Sequence, residues 1–379
     1  MLKNNISSKL YNPEQWKYSN FKFFEKLEIY ESSKINLQNK NITHIEINHS
    51  DISIPKDIEK NVSITFLSDL KKNEISKKIT QVSENESNPF LEMNLKNKSN
   101  GIFIHIKENV KLIKPLEIKY KINNDMTNII SNNRLFISIG ENTSAEIIIS
   151  EEHSNIGNLN SLVEVFVDKN SNLDIIFLSK KNNINQIYNF SSTIADNSTL
   201  NLFPIDIQGK LIKKNYFIFL NGKNSSINYN SLNLMDNSNH IDNYIKIEHL
   251  NNFTNSNTCH KNILKDKSKG IFYTKAKINE GAINSEVNQK NNNLMLSNQA
   301  NVHSNPQLEI YNNDVKCTHG STTGQVDDEI IFYMQSRGLE KDECKKLILQ
   351  GFSDEVLNKI KNDTIQKNIQ KKINNWIKE

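Results

Sequence analysis

The sequence is 379 residues long, with 47 basic and 43 acidic residues and a formal net charge of +4. This length is enough for a sizeable hydrophobic core and for more than one domain. The charges are spread along the chain without a basic tract among aromatic residues, which argues against nucleic acid as a partner. No run approaches the roughly 20 apolar residues that span a bilayer, so we also expect no membrane contact.

The cysteine pattern indicates the compartment. Cys259, Cys317 and Cys344 are far apart and odd in number, so they do not form a disulfide framework. The N-terminal residues lack the apolar run of a secretory signal. Together these features predict a soluble, cytoplasmic protein in a reducing environment.

Residues 1–100 have a mixed helical and strand character. Aromatic side chains recur at roughly helical spacing between Trp16 and Leu27, which predicts a small core or a docking face. Two strand-like pieces and then a charged helical pattern follow, at residues 42–47, 62–66 and 69–82. We therefore predict an N-terminal mixed region that ends near residue 100.

Short alternating strands separated by polar turns fill residues 101–324. One phrase, an asparagine and small polar residues before an apolar alternation, recurs about every 27 residues, which is a solenoid-scale period. It begins at Asn142, Asn170, Asn197 and Asn224. Each coil of a solenoid buries a strand face that it could not bury alone. We predict a mainly β chain with a β-helix or related β-solenoid core, and a β-sandwich is the alternative that short regular strands also fit.

Residues 325–379 change to helical periodicity. Asp327, Asp328 and Glu329 mark a helix start, because acidic side chains interact favourably with the exposed amides of a first turn. Four amphipathic helices are predicted, over residues 327–337, over residues 341–350, from residue 353 or 354, and over residues 364–377. The first is expected to bury Ile330, Ile331, Phe332 and Met334. Such a module would cap the open end of the solenoid.

Cys317 and His319 carry the metal-ligand chemistry of the chain, between an alternating strand and a Gly/Thr turn. Residues two apart in an extended segment share a face and lie roughly 6.5 to 7 Å apart at the backbone. One metal ion could bridge a thiolate and an imidazole in that arrangement. Structural zinc sites take four ligands, so a purely structural role for both residues is the alternative.

Sequence motifs for catalysis are absent. The chain has no phosphate-binding loop, no dinucleotide-binding glycine pattern, no HExxH and no CxxC. A solenoid enzyme that acts on polysaccharides is the alternative class, but residues 101–324 lack the paired carboxylates that sugar hydrolysis needs. We therefore predict a protein that is not an enzyme.

Three segments together carry a family resemblance. They are EQWKYSN (residues 14–20), GIFIHI with the later KPL (within 101–116), and PQLEIYNNDVKCTHG with the following GQVDDEIIFY and SRG (within 306–338). In this order they resemble the SufB/SufD family, whose members are scaffold subunits of iron-sulfur cluster assembly. The segments lie in both terminal thirds of the chain, whereas the middle is similar in character only.

The resemblance implies a right-handed parallel β-helix over residues 101–324 and a helical module over residues 325–379 that docks the ATPase SufC. It implies a non-catalytic scaffold that pairs with a SufB-like subunit through the C-terminal end of the β-helix and builds and transfers nascent clusters. His319 and Cys317 match the family's Cys-x-His pair. They would hold a transient iron-sulfur cluster shared with the partner, and the isolated chain would hold none. Direct ligation of iron by both residues and the participation of a flavin are open on the sequence alone.

Two departures place the resemblance on the SufD side of the family. SufB-type sequences carry a cysteine motif where this chain has Asn291, Asn292 and Asn293, and a carboxylate beside the histidine where Gly320 stands. A SufB-like scaffold is the remaining alternative within the family. By this resemblance the chain is the supporting half of a SufB–SufD pair.

Overall fold

The computed structural model describes residues 16–21, 23–24, 27–29, 36–40, 42–48, 51–56, 60–70, 88–96, 101–122, 127–153, 156–179 and 183–378. Within these residues the chain is mainly β and winds as a solenoid of about 7 turns, with two sheets and four helices. The β-helix prediction is confirmed. The sandwich alternative is wrong, because consecutive coils pair their strands in parallel.

The secondary-structure elements are numbered in chain order. The ten-stranded sheet contains β1 (Glu28–Ile29), β5 (Val62–Phe66), β6 (Gly101–Ile106), β8 (Ile129–Ile139), β10 (Gly157–Val167), β12 (Ile184–Ile194), β14 (Leu211–Leu220), β16 (His240–His249), β18 (Lys269–Ile278) and β20 (Asn301–Ile310). The eleven-stranded sheet contains β2 (Asn36–Lys40), β3 (Ile45–Ile47), β4 (Asp51–Pro55), β7 (Leu116–Ile122), β9 (Ser144–His153), β11 (Asn172–Ser179), β13 (Thr199–Ile207), β15 (Ser226–Met235), β17 (Asn255–Leu264), β19 (Ser285–Met295) and β21 (Val315–Gln325). The helices are α1 (Pro89–Lys96), α2 (Asp328–Ser336), α3 (Lys341–Leu357) and α4 (Asp363–Lys378).

Successive strands from β6 to β21 alternate between the two sheets. Strand β10, for example, pairs in parallel with β8 on one side and with β12 on the other. The chain therefore crosses to the opposite sheet at each turn and returns one coil further along, which is the winding of a β-helix.

One corner of successive coils has a left-handed backbone, with φ between 54° and 60°. The corner residues are Asn109, Asn142, Asn170, Asn197, Asn224, Phe253 and Asn284. Asparagine is enriched in this conformation among residues other than glycine. The side-chain amides of the first five corners also form a ladder of hydrogen bonds of 3.0–3.1 Å. The repeated phrase in the sequence is therefore this corner and the strand that follows it.

The interior changes from apolar to polar along the solenoid. In the eleven-stranded sheet one inward row runs in register through Ile175, Leu202, Tyr229, Thr258 and Gln289. All five side chains are buried. The first coils are filled by isoleucine, leucine and valine from both sheets, whereas the last coils enclose hydroxyl and amide groups.

The N-terminal aromatic residues form a small core on the outer face of the ten-stranded sheet. Trp16, Phe21 and Phe24 are buried and pack against Phe90 of α1 and Ile187 of β12. This is one of the two roles that their spacing predicts.

The other N-terminal predictions have different outcomes. The strand predicted at residues 62–66 is β5, and the one at residues 42–47 is confirmed only for β3, Ile45–Ile47. The charged helical pattern at residues 69–82 lies outside the described residues beyond residue 70.

The C-terminal region has three helices, so the prediction of four is wrong. The second and third predicted helices are one helix, α3, which continues through Gly351. A glycine within a helix costs about 1 kcal/mol relative to alanine. Burial of Leu349 and Val356 on either side offsets that cost, and the hydroxyl of Ser353 donates a hydrogen bond of 2.8 Å to the carbonyl of Leu349.

The helices α3 and α4 lie against the outer face of the eleven-stranded sheet. Trp376 and Val356 pack there in one apolar cluster with Leu232 and Ile263. The module therefore covers the side of the solenoid and leaves the end of the last coil open, in contrast to the expected cap. None of the helices in the described part of the chain has the length and apolar character needed to cross a membrane.

Candidate functional site

The last coil of the solenoid, formed by β20 and β21, has an uncovered end. Among the described strands, β20 pairs only with β18 and β21 only with β19. No residue of β20 or β21 is fully buried. Unpaired backbone groups and inward side chains are therefore both accessible to a partner at this end.

Cys317 and His319 lie on β21, on the face that continues the solenoid interior. Cys317 is in register with Val287 of β19, and His319 with Gln289. Val287 and Gln289 are buried while Asn288 between them is exposed, which identifies the inward row. Because side chains two residues apart on a strand share a face, the thiol and the imidazole lie on the same side, as the spacing predicts.

Cys317 is half-buried in apolar surroundings. It packs against the cluster formed by Ala276, Ile278, Ala282 and Val287. Burial raises the pKa of its thiol, because the thiolate is disfavoured away from water. The thiolate is the form that binds a metal, so Cys317 is poorly prepared as a ligand in the chain alone.

His319 is exposed at the open end. Its imidazole takes part in no hydrogen bond or ion pair given by the described part of the structure. A neutral imidazole is a suitable ligand for iron. Of the two predicted site residues, the histidine is therefore the more available.

Among the described residues, no third ligand lies with the pair. The described residues contain no group of three or more histidine, cysteine, aspartate or glutamate side chains that could hold a metal ion. Iron in proteins takes more than two ligands. Two ligand-type side chains alone are fewer than an iron site needs.

Polar residues that the sequence analysis did not single out surround the pair. The hydroxyl of Ser321 lies 2.8 Å from that of Ser304, which joins the two strands of the last coil across the interior. The side-chain nitrogen of Gln289 donates to the carbonyl of Gln307 at 3.4 Å. Position in the fold could have indicated these side chains: Ser304, Ser321 and Gln289 point inward on the last strands, whereas Gln307 contributes only its backbone carbonyl.

The family model for "SUF system FeS cluster assembly, SufBD core domain" matches residues 121–352, which is more than half of the chain. The chain belongs to the SufBD family. The matched range begins in β7, ends in α3 and includes β21 with both predicted ligands.

Several curated proteins are similar to this SufBD chain. It is 31% identical over 204 residues to the iron-sulfur cluster assembly protein SufD of Escherichia coli (strain K12), a match that covers 54% of this chain and 48% of that protein. It is 24% identical over 287 residues to the SufBD family protein slr0076 of Synechocystis, covering 72% of this chain and 62% of that protein. It is 24% identical over 260 residues to SufD of Plasmodium berghei, covering 67% of this chain and 19% of that protein. The chain therefore spans about half the length of the first of these relatives and less than two thirds of the others.

The helical module of this SufBD protein has a second exposed surface. In α2 only Ile331 is buried, whereas Ile330, Phe332 and Tyr333 are 49%, 74% and 60% exposed. The prediction that Ile330 and Phe332 lie on the buried side of the helix is therefore wrong, whereas Ile331 is buried and Met334 is partly buried, as predicted. Exposed large apolar side chains in a cluster are typical of a protein interaction surface.

Proposed function

We propose that this chain is a non-catalytic scaffold subunit of the SUF system in the cytoplasm. In this function it pairs with a SufB-like subunit and binds a SufC-like ATPase, and the complex builds and transfers nascent iron-sulfur clusters. The family membership and the SufD relatives support this proposal. The observation that carries it is the pair of ligand-type side chains on the uncovered last strand, with no third ligand among the described residues.

The proposed division of labour follows the three parts of the chain. Residues 1–100 form the mixed N-terminal region, residues 101–324 form the β-helix that meets the SufB-like subunit at its open end, and residues 325–379 dock the ATPase. The exposed edges of β20 and β21 favour pairing with a second solenoid, because unpaired strand edges are ready to accept hydrogen bonds. The exposed side chains of α2 favour docking at the module.

Iron and sulfide are the substrates of the proposed site, and the cluster is its cargo. His319 would supply a nitrogen lone pair to iron. Cys317 would have to lose its thiol proton first, which its apolar surroundings disfavour in the chain alone. Binding of a cation removes that barrier, because a coordinated thiol is deprotonated by the charge of the metal. The SufB-like partner would supply the remaining ligands.

The first experiment tests the cluster site. His319→Ala is made in the complex co-expressed with the SufB-like and SufC-like subunits, and cluster formation is followed by absorbance during anaerobic reconstitution. Thr318→Ala is the matched control, because Thr318 is the neighbouring residue on the opposite face of β21. We expect His319→Ala to lose most of the cluster with the complex intact and the control to behave like the parent. Cluster formation at the parent rate in His319→Ala would show that the site is wrong.

The second experiment tests the docking module. Phe332→Asp introduces a charge into the exposed surface of α2 and is expected to weaken capture of the SufC-like ATPase while pairing with the SufB-like subunit persists. Ile113→Asp is the control, since Ile113 is 92% exposed in the first coils and lies far from α2 in the chain. Equal ATPase capture by the two variants would assign the module a structural role only.

A further inference from the structure

The inward row that ends at His319 contains two buried polar atoms without a partner. Thr258, Gln289 and His319 are in register on β17, β19 and β21. Thr258 and Gln289 are 2% and 1% exposed, and neither Thr258 Oγ1 nor Gln289 Oε1 has a hydrogen-bond partner in the described structure. An unpaired buried polar atom costs about 1–3 kcal/mol, so native proteins retain few of them.

The amide of Gln289 is oriented by its nitrogen. Nε2 donates to the carbonyl of Gln307 on β20 at 3.4 Å. Oε1 is then the free end of the group, and a carbonyl oxygen accepts up to two hydrogen bonds. Gln289 therefore offers an acceptor inside the last closed coil, next to the coil that carries the histidine.

The two neighbours of Gln289 in the row both have donors to offer. Adjacent strands are about 4.8 Å apart, and in-register side chains on one face are close enough for direct hydrogen bonds. The hydroxyl of Thr258 on the preceding strand and the ring N–H of His319 on the following strand are the two in-register donors, and neither is hydrogen-bonded to Oε1 in the structure. His319 is exposed, so rotation about its side-chain bonds meets little resistance.

We propose that Gln289 is a positioning residue for His319: its Oε1 accepts the N–H of the imidazole, which fixes the neutral tautomer and directs the other nitrogen to the open end of the coil. Metal-binding histidines almost always donate their second N–H to an acceptor, which sets the ring orientation. The hydrogen bond explains an orphaned acceptor one coil away from a ligand. The identity of the metal as iron rests on the proposed function, whereas the hydrogen bond does not.

The tautomer of His319 is measured by nitrogen NMR of the full chain with labelled histidine, at alkaline pH where imidazole is neutral. The signals are assigned by their loss in His319→Ala. We expect two well-separated ring-nitrogen shifts in the parent, as for a single tautomer, and averaged shifts in Gln289→Leu. Gln289→Glu keeps an acceptor oxygen at this position and is expected to restore the separated shifts. Averaged shifts in the parent, or identical His319 signals in the parent and Gln289→Leu, would overturn the proposal.

Measuring the iron affinity of the complex distinguishes the positioning role of Gln289 from the proposed function in cluster assembly, on which that role partly rests. Loss of such a supporting hydrogen bond lowers metal affinity about 10–100-fold, so Gln289→Leu should reduce iron affinity by that factor and Gln289→Glu should restore it. If His319→Ala abolishes clusters while the tautomer is independent of Gln289, the function stands and the positioning role fails. If the tautomer depends on Gln289 while His319→Ala builds clusters at the parent rate, the positioning role stands and the proposed function fails.

Discussion

A buried ion pair in the solenoid also contacts the N-terminal segment. The loss in the free energy of unfolding when one of its charges is removed can be worked out from its burial. Lys213 of β14 and Asp242 of β16 are in register, are 0% and 1% exposed, and contact each other at 2.7 Å. Ser19 donates a hydrogen bond to the same aspartate. The Lys213 ammonium also lies 5.6 Å from the ring centroid of Trp16. The change to test is Lys213→Met, which keeps the aliphatic stem and removes the charge.

The magnitude follows from the burial of both partners. Removing one member of a buried pair leaves an uncompensated charge and typically costs about 3–5 kcal/mol. Ser19 still donates to Asp242 in the variant, and methionine retains most of the packing, so we expect a loss of about 3 kcal/mol at neutral pH. The double variant Lys213→Met/Asp242→Leu removes both charges and should recover most of that loss, since a buried pair is often no more stable than apolar residues of similar size.

The assay is denaturant unfolding followed by far-ultraviolet circular dichroism, with the midpoint and slope compared among the parent, both single variants and the double variant. Lys121→Met is the control, because the Lys121–Glu46 pair is partly exposed and is expected to contribute at most about 1 kcal/mol. A loss below about 1 kcal/mol in Lys213→Met would refute the reasoning, because the ion pair would then behave like a hydrated surface pair. No recovery of stability in the double variant would also refute it, because the loss would then come from misplaced packing of the methionine and not from the unpaired charge.

Further predictions concern the corner ladder, the buried histidine and the site cysteine. Asn170 has φ 55° and bonds to both neighbouring corners, so Asn170→Ala should destabilise the chain by about 1–2 kcal/mol and Asn170→Gly by less, in denaturant unfolding. Burial lowers the pKa of His260 to about 3. Since the unfolded chain then binds a proton that the folded chain does not, stability should fall as pH decreases from about 6.5, and His260→Asn should lose less over that range. Burial raises the pKa of Cys317, so iodoacetamide should alkylate it more slowly than a free cysteine at neutral pH, measured by mass spectrometry; equal rates would contradict the described burial.

The fold was predictable because one residue type repeats at one backbone position. Asparagine satisfies the left-handed corner, and the following alternation supplies the strand, so a period in the sequence is also a period in space. The prediction that the helix breaks near Gly351 was wrong, because it rested on local sequence alone. A local helix breaker was outweighed by apolar contacts of α3 with the distant strands β15 and β17, which no local pattern contains.

The site was predictable only in its local geometry. Alternation along a strand places Cys317 and His319 on one face whatever the fold. Their unequal exposure depends on the last coil, because Cys317 rests on side chains of β18 and β19 while His319 extends past them. The relation between Gln289 and His319 depends on a register between residues 30 positions apart, which follows from the length of the last turn and not from any motif.

The polar interior of the last coils fits the proposed function, in which this end of the solenoid faces water in the free chain and a partner in the complex. An apolar row at an uncovered end would attract any strand or apolar surface and would be prone to aggregation. Here the inward positions of β21 include His319, Ser321 and Thr323, and the exposed Lys316 adds a charge to the edge strand. Such groups lose little by contact with water, but a partner that buries them must satisfy their hydrogen bonds, which disfavours unmatched surfaces. In the proposed complex, this polarity would therefore favour a subunit whose surface satisfies those hydrogen bonds.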